Sequence, residues 1–216
     1  MISQGMAGTV SLVFAALGDS LTRGFVPYDP LRPLGPGIPY TSYLDDLVVT
    51  ELSRRGIEDV SVQFVNFGVN GDSTRGMLQR LESRGAPLDP GYVIVWGGIN
   101  DLYGGSPPEG IMENLIALYV KTSGIGAEPI ACTLTSVTGF DAAIPPIRRL
   151  NKMILEHCSE NHIPFADLYA ATSDDGGRLE GRYSSDGVHL TAAGNERVAR
   201  AVYGDVVEGL IDAFSV

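Results

Sequence analysis

Apolar and polar positions alternate along this chain in two rhythms, short apolar runs and longer amphipathic stretches. The first run, Val10-Ser11-Leu12-Val13-Phe14-Ala15-Ala16-Leu17, is partly β-branched and ends at Gly18. It reads as a buried strand. From Thr41 to Arg55, Leu44, Leu47, Val48 and Leu52 recur at three- and four-residue spacing and Gly56 follows, which predicts a helix and its stop. Val60 to Phe67 alternates and is β-rich, a second strand; Ser73 or Asp72 then caps a helix with Met77, Leu78 and Leu81 on one face. Tyr92 to Trp96 is the third strand, and Pro107 and Pro108 lead to a helix over about Glu109 to Ser123. Ile130 to Leu134 is the fourth strand. A loop with Phe140, Pro145 and Pro146 precedes a helix from about Ile147 to Asn161, and Phe165 to Leu168 is the fifth strand. A polar loop, Thr172 to Asp186, carries the chain to His189; Thr191 opens the last helix, with Val198, Val202, Val206, Leu210 and Ile211 inward.

Strict alternation of strand and helix implies right-handed crossovers and a parallel sheet covered on both faces. The expected fold is α/β: a flavodoxin-like doubly wound three-layer sandwich with a five-stranded parallel sheet, one domain over residues 1–216. Ligands of such sheets bind beyond the carboxyl ends of the strands. One segment interrupts the rhythm. Phe25 to Pro39 holds Pro27, Pro30, Pro33, Pro36 and Pro39, a density that excludes helix and central strand. It starts just after Ser20, so it either borders what Ser20 faces or is a surface excursion.

Composition narrows the class. A chain of 216 residues with 44% hydrophobic content and a mean hydropathy of +0.10 is an ordinary globular composition. A net charge of −11 argues against nucleic acid or an anionic membrane surface as the main partner. No stretch has the length of a membrane span. Met1 to Thr9 contain no Lys or Arg, and cleavage after the first apolar run would delete a core strand, so no signal peptide is read and a cytoplasmic location is expected. Met6 is an alternative start, and the first few residues are expected to fray. Cys132 falls in a strand-like run and Cys158 in a helical one; both read as buried free thiols. No His, Cys or Asp cluster has ligand spacing, so neither metal nor cofactor is expected.

Four places carry candidate chemistry, each with a plain alternative. Ser20 stands where a strand gives way to a loop or helix, either as a cap or as an exposed nucleophile whose own N–H faces an anion. Gly71 either serves the turn between strand and helix or offers its N–H to a developing oxyanion. Asn100, after Gly97 and Gly98, either caps a turn or donates its amide to the same anion. His189 follows Asp186 by three residues in a glycine-containing turn. A short turn can fold Asp186 onto Nδ1 and leave Nε2 free as a general base; otherwise His189 is a solvated turn residue. The two other histidines, His157 and His162, sit in a helix and at its end and read as surface or capping residues.

Gly18-Asp19-Ser20-Leu21, the Asn66-x-Gly-x-x-Gly71-Asp72 segment, Gly98-Ile99-Asn100-Asp101 and Asp186-x-x-His189 together resemble the four signature blocks of the SGNH/GDSL hydrolases, in the family's order and over nearly the whole chain. The G-x-S-x-G elbow of α/β-hydrolases and a Walker A loop are absent. The resemblance implies Ser20 as nucleophile, His189 as base and then acid, and Asp186 orienting His189. It implies an oxyanion hole made of the Ser20 and Gly71 N–H groups and the Asn100 amide. Asn70 stands where many relatives carry serine or another small residue. Asp19 and Asp72 are read as ordering their loops by local bonds to backbone N–H groups. The implied activity is a serine esterase that hydrolyses carboxylic esters, short-chain acyl esters or lysolipid-like substrates, through an acyl-serine intermediate, with a small-molecule or acylated-glycan ester as the partner. The alternatives are a carbohydrate O-acetylesterase or acyltransferase on the same residues, and a catalytically silent binding module. Modest loops suggest an open site for small or flexible acyl groups, or for one acetyl on a large substrate.

Overall fold

The computed structural model describes residues 10–27, 37–84 and 89–214. The expected fraying of the first residues and most of the proline-rich excursion lie outside the described residues. Strand β1 (Val10–Gly18) is followed by the short helix α1 (Ser20–Arg23), helix α2 (Tyr40–Arg55), β2 (Val60–Gly68) and α3 (Thr74–Arg84). Then come β3 (Tyr92–Trp96), the short α4 (Ile99–Tyr103), α5 (Pro108–Gly124), β4 (Glu128–Cys132) and α6 (Ile144–Asn161). The chain closes with β5 (Phe165–Ala166), the short α7 (Leu168–Thr172), α8 (Ala192–Val202) and α9 (Glu208–Phe214). The five strands pair in parallel in the order β2-β1-β3-β4-β5, the flavodoxin-like order that reverses between β1 and β3.

The centre of the sheet is held by matched apolar rungs. Phe14 lies opposite Phe64 on β2 and Tyr92 on β3. Its ring stacks on theirs at centroid distances of 4.9 and 4.7 Å. Such pairs add about 0.5–1.5 kcal/mol each beyond area burial. Leu115, Leu118, Ile147, Leu150 and Ile154 cover one face from α5 and α6, and Leu44, Val48, Val198 and Val202 cover the other from α2 and α8. Cys132 and Cys158 are buried and free. Burial pushes the Cys158 thiol up to about 11 and Cys132 higher still. Among the described residues no helix is long and apolar enough to cross a membrane.

Three boundaries differ from the sequence expectation. β4 runs over Glu128–Cys132 rather than Ile130–Leu134. Pro129 is tolerated because Glu128 N–H bonds Gly91 on the β3 side, so the missing Pro129 N–H faces the side where β5 has not begun. Leu134 leaves the ladder because the Asn151 side chain takes its N–H at 2.7 Å and gives to its carbonyl at 2.9 Å. α6 begins at Ile144, with Pro145 and Pro146 inside it, since first-turn positions need no N–H donor. β5 stops at Ala166 because Asp167 caps α7, accepting from Ala170 N–H at 3.1 Å. Tyr203–Val207 forms a π-helical turn that breaks the final helix.

Candidate active site

Ser20 opens α1 directly beyond the carboxyl end of β1. Gly18 allows the turn: a Cβ there would lie 2.0 Å from Thr22 Oγ1 and 2.7 Å from the Trp96 carbonyl. Asp19 caps α1 by accepting from Leu21 N–H at 2.9 Å. Its second carboxylate oxygen is buried without a partner. Burial, assisted by the nearby Asp72 and Asp101 carboxylates and opposed by the Leu21 amide, raises the Asp19 carboxyl to about 7.

The turn before α8 brings His189 onto Ser20. Nε2 of His189 lies 3.1 Å from Ser20 Oγ, and Nδ1 lies 2.7 Å from Asp186 Oδ2. The other oxygen of Asp186 accepts the N–H groups of Val188 and His189 at 2.9 and 2.8 Å. Burial would raise the Asp186 carboxyl, but the bonds from His189 and the Val188 and His189 amides outweigh it and hold it below the usual carboxylate range. With Nδ1–H given to this carboxylate, neutral His189 presents Nε2 as an acceptor for the Ser20 hydroxyl. Gly187 makes the turn with φ +88°, where a Cβ would sit 2.0 Å from the Thr138 carbonyl. Thr138 N–H bonds Gly187 at 2.9 Å and ties this turn to the loop after β4. Ser184, which sequence reasoning passed over, accepts from Gly187 N–H at 2.9 Å and donates to the His189 carbonyl at 2.8 Å. A serine in a polar loop gives no signal of that role.

Gly71 adopts φ +73° between β2 and α3. The Asn100 amide donates to the Asp72 carbonyl at 3.0 Å, so Asn100 is anchored to the Gly71 segment with a second amide hydrogen to spare. Asp101 accepts the N–H and hydroxyl of Thr74 at 2.9 and 2.8 Å and thereby fixes α4 to the start of α3. Ser73, rather than Asp72, caps α3 by accepting from Gly76 N–H at 3.1 Å. The Asp72 carboxylate is not spent on backbone N–H groups as the sequence suggested; it pairs with Arg80 at 2.8 Å. Arg80 also donates to the Phe67 carbonyl at 3.0 Å and the Gly18 carbonyl at 3.2 Å. One guanidinium thus joins the ends of β1 and β2 to the Gly71 segment. A signal existed: Arg80 lies three residues after buried Met77 and beside buried Leu81, at the edge of the inward face of α3.

The Phe25 ring packs edge-on against His189 at 4.7 Å, so the described start of the proline-rich segment borders the site. A groove of about 690 Å³ opens on the α3–α5 side of Asn100, with Ser73, Arg75, Gln79, Glu82 and Asn114 among its walls. The remaining histidines stand apart. His157 stacks on Tyr119 at 6.0 Å, and His162 closes α6 at φ +55°. Among the described residues no group of His, Cys, Asp and Glu is arranged to hold a metal.

The profile of the GDSL-like Lipase/Acylhydrolase family matches residues 16–197. A GDSL-like lipase from Bacteroides thetaiotaomicron superposes with a TM-score of 0.67 at 18% identity, covering 96% of this chain and 93% of that one. An acetyl-xylooligosaccharide esterase variant from Geobacillus superposes with a TM-score of 0.70 at 20% identity, covering 92% and 95%. An N-acylneuraminate cytidylyltransferase from Streptococcus agalactiae is 30% identical over 136 residues, which are 61% of this chain and 32% of that protein. This chain therefore matches about a third of the length of that curated relative.

Proposed function

The chain belongs to the GDSL-like lipase/acylhydrolase family, and on that premise we propose that it is a carboxylic ester hydrolase that works as a serine esterase through an acyl-serine intermediate on Ser20. The observation that carries the reading is the unbroken series Ser20 Oγ, His189 Nε2, His189 Nδ1 and Asp186 Oδ2, with steps of 3.1 and 2.7 Å across the two hydrogen bonds. His189 takes the hydroxyl proton as Ser20 Oγ attacks the ester carbonyl, and ionised Asp186 stabilises the imidazolium. The oxyanion is received by the N–H groups of Ser20 and Gly71 and by the free amide hydrogen of Asn100. Collapse breaks the carbon–oxygen bond to the alcohol, which leaves with the proton from His189. Water, deprotonated by the same imidazole, then hydrolyses the acyl-serine and restores Ser20.

A second reading, removal of acetyl groups from a glycan, is favoured by the polar groove beside Asn100 and by the acetyl-xylooligosaccharide esterase among the structural relatives. Transfer of the acyl group to an acceptor alcohol would use the same residues. Turnover of nitrophenyl butyrate and of acetylated xylooligosaccharide by wild type, Ser20→Ala and His189→Ala tests the proposal. Both variants are expected to lose turnover with either substrate while keeping their fold. A fully active Ser20→Ala protein would remove Ser20 as the nucleophile, and a wild type inactive on both esters would return the chain to the reading of a binding module.

A further inference from the structure

Large apolar side chains left in solvent are not spread evenly over this molecule. Among the described residues they are Phe25, Val26, Ile38, Val49, Val69, Tyr103, Val120, Ile125 and Phe140. Six of these nine, all but Val49, Val120 and Ile125, sit in segments that flank the carboxyl ends of β1, β2, β3 and β4. Isolated exposed hydrophobics mean little, but a cluster on one edge marks a binding surface.

Backbone bonds tie this rim to the reacting groups. Phe25 N–H bonds the Ser20 carbonyl at 3.0 Å, and Val69 N–H bonds the Gly18 carbonyl at 3.0 Å. Tyr103 ends the same short helix that carries Asn100. Phe140 follows Thr138, whose N–H holds the Gly187 carbonyl. The Tyr103 and Phe140 rings meet at 5.8 Å while remaining 42% and 53% exposed. Burial raises the Tyr103 phenol and the Asp186 carboxylate adds to the shift, as expected for a ring close to the Asp186–His189 turn.

The directions available to a bound ester then sort themselves. Its leaving oxygen must approach His189 Nε2, beside Phe25, and its carbonyl oxygen must approach Asn100. Two directions lead away from Asn100, the groove on the α3–α5 side and the course of α4 to Tyr103, and the second ends at the exposed Tyr103–Phe140 ring pair. We propose that Tyr103 and Phe140 form the wall of an acyl site, and that the preferred substrate is a neutral ester whose acyl chain is several carbons longer than acetyl. The charges nearby disfavour an anionic acyl chain, and the apolar rings favour an uncharged one. Asp186 and Asp141 belong to the segments around this wall, while the guanidiniums of Arg80 and Arg178 are already engaged by Asp72 and Asp141 at 2.8 and 2.6 Å. The proposal rests on the assignment of Ser20, His189 and Asn100 as the reacting centre.

A methylene moved fully out of water gains up to about fourfold in binding, so one laid on an open ring pair gains roughly twofold. Wild-type kcat/KM should therefore climb about tenfold from nitrophenyl butyrate to nitrophenyl octanoate, with acetate lowest. In Phe140→Ala and in Tyr103→Ala the octanoate-to-acetate ratio should fall several-fold. Tyr103→Phe, which keeps the ring, should retain most of it. Val120→Ala, an exposed apolar position on α5, should show the wild-type ratio. A wild-type profile that is flat or best with acetate overturns the acyl wall, as does a wild-type ratio in both alanine variants. Fluorophosphonate labelling separates the two failures: if Ser20 is labelled the catalytic reading survives the loss of the acyl site, and if wild type is neither labelled nor active both fall.

Discussion

Replacing Arg80 with methionine would keep the aliphatic stem and remove a guanidinium that serves three partners at once. The side chains of Arg80 and Asp72 are only 16% and 11% exposed. Removing one member of such a buried pair costs about 3–5 kcal/mol, because the other charge is left without its partner. The Gly18 carbonyl keeps a second donor in Val69 N–H, so its loss is small beside that of Asp72 and Phe67. For a chain of this size the cost corresponds to a fall in Tm of roughly 6–20 °C. Activity should suffer separately. The Asp72 carbonyl anchors Asn100, and Asp72 is next to Gly71, so a shift of this segment would misplace two of the three proposed oxyanion donors. Mutational loss of one such donor costs about 10²–10³ in kcat. We expect kcat for nitrophenyl butyrate, measured well below the Tm of the variant, to fall by a factor in that range with KM little changed. Added guanidinium should restore part of it. A folded Arg80→Met protein with kcat within twofold of wild type would show that the Gly71 segment holds its shape unaided, and the reasoning would fail.

Other perturbations probe the remaining parts. Asn100→Ala should lower kcat by roughly 10²–10³; steady-state kinetics giving an unaltered kcat would return Asn100 to turn capping. Asp186→Asn should lower kcat by roughly 10³–10⁴ by presenting His189 in the wrong tautomer, and a variant within tenfold of wild type would contradict the orienting role. Asp186 is held below its unfolded value, so the stability it contributes is present above the ordinary carboxylate range and is lost as pH falls through it; that acid limb should shrink in the variant's unfolding profile. Asp19 has the opposite sign. Its folded carboxyl keeps a proton to about 7 whereas the unfolded one releases it near 3.8, so wild-type stability should fall as pH rises between those values, by up to about 4 kcal/mol. Urea titrations of Asp19→Asn at pH 5 and pH 8 should therefore show the variant gaining on wild type at the higher pH; parallel profiles would contradict a buried neutral acid.

Much of this molecule was legible because two periodicities and a few turn residues dominate its pattern. The β1 run is apolar on both faces and ends at Gly18, and the alternation of strand and helix specifies a parallel sheet and therefore which edge carries the loops. The spacing of Asp186 and His189 was informative because a three-residue turn through Gly187 can bring a carboxylate onto Nδ1. Less could be read where side chains act at a distance. Asn151 takes over the hydrogen bonds of Leu134 from another element, so the end of β4 was misplaced. Asp167 turns the chain into α7 and shortens β5. Arg80 and Ser184 order the site through contacts with backbone carbonyls and amides, and such partners have no side-chain identity for a pattern to record. The short helices α1, α4 and α7 span only four or five residues, too few to display a helical period.

The central claim is that the hydroxyl of residue 20 is a nucleophile activated by the imidazole of residue 189. The most direct measurement is stoichiometric reaction with a fluorophosphonate at pH 8, followed by peptide mapping by mass spectrometry. One adduct per chain, located on Ser20 and absent from His189→Ala on the same timescale, is the predicted result. An unmodified wild-type chain, or an adduct on a different serine, would contradict it.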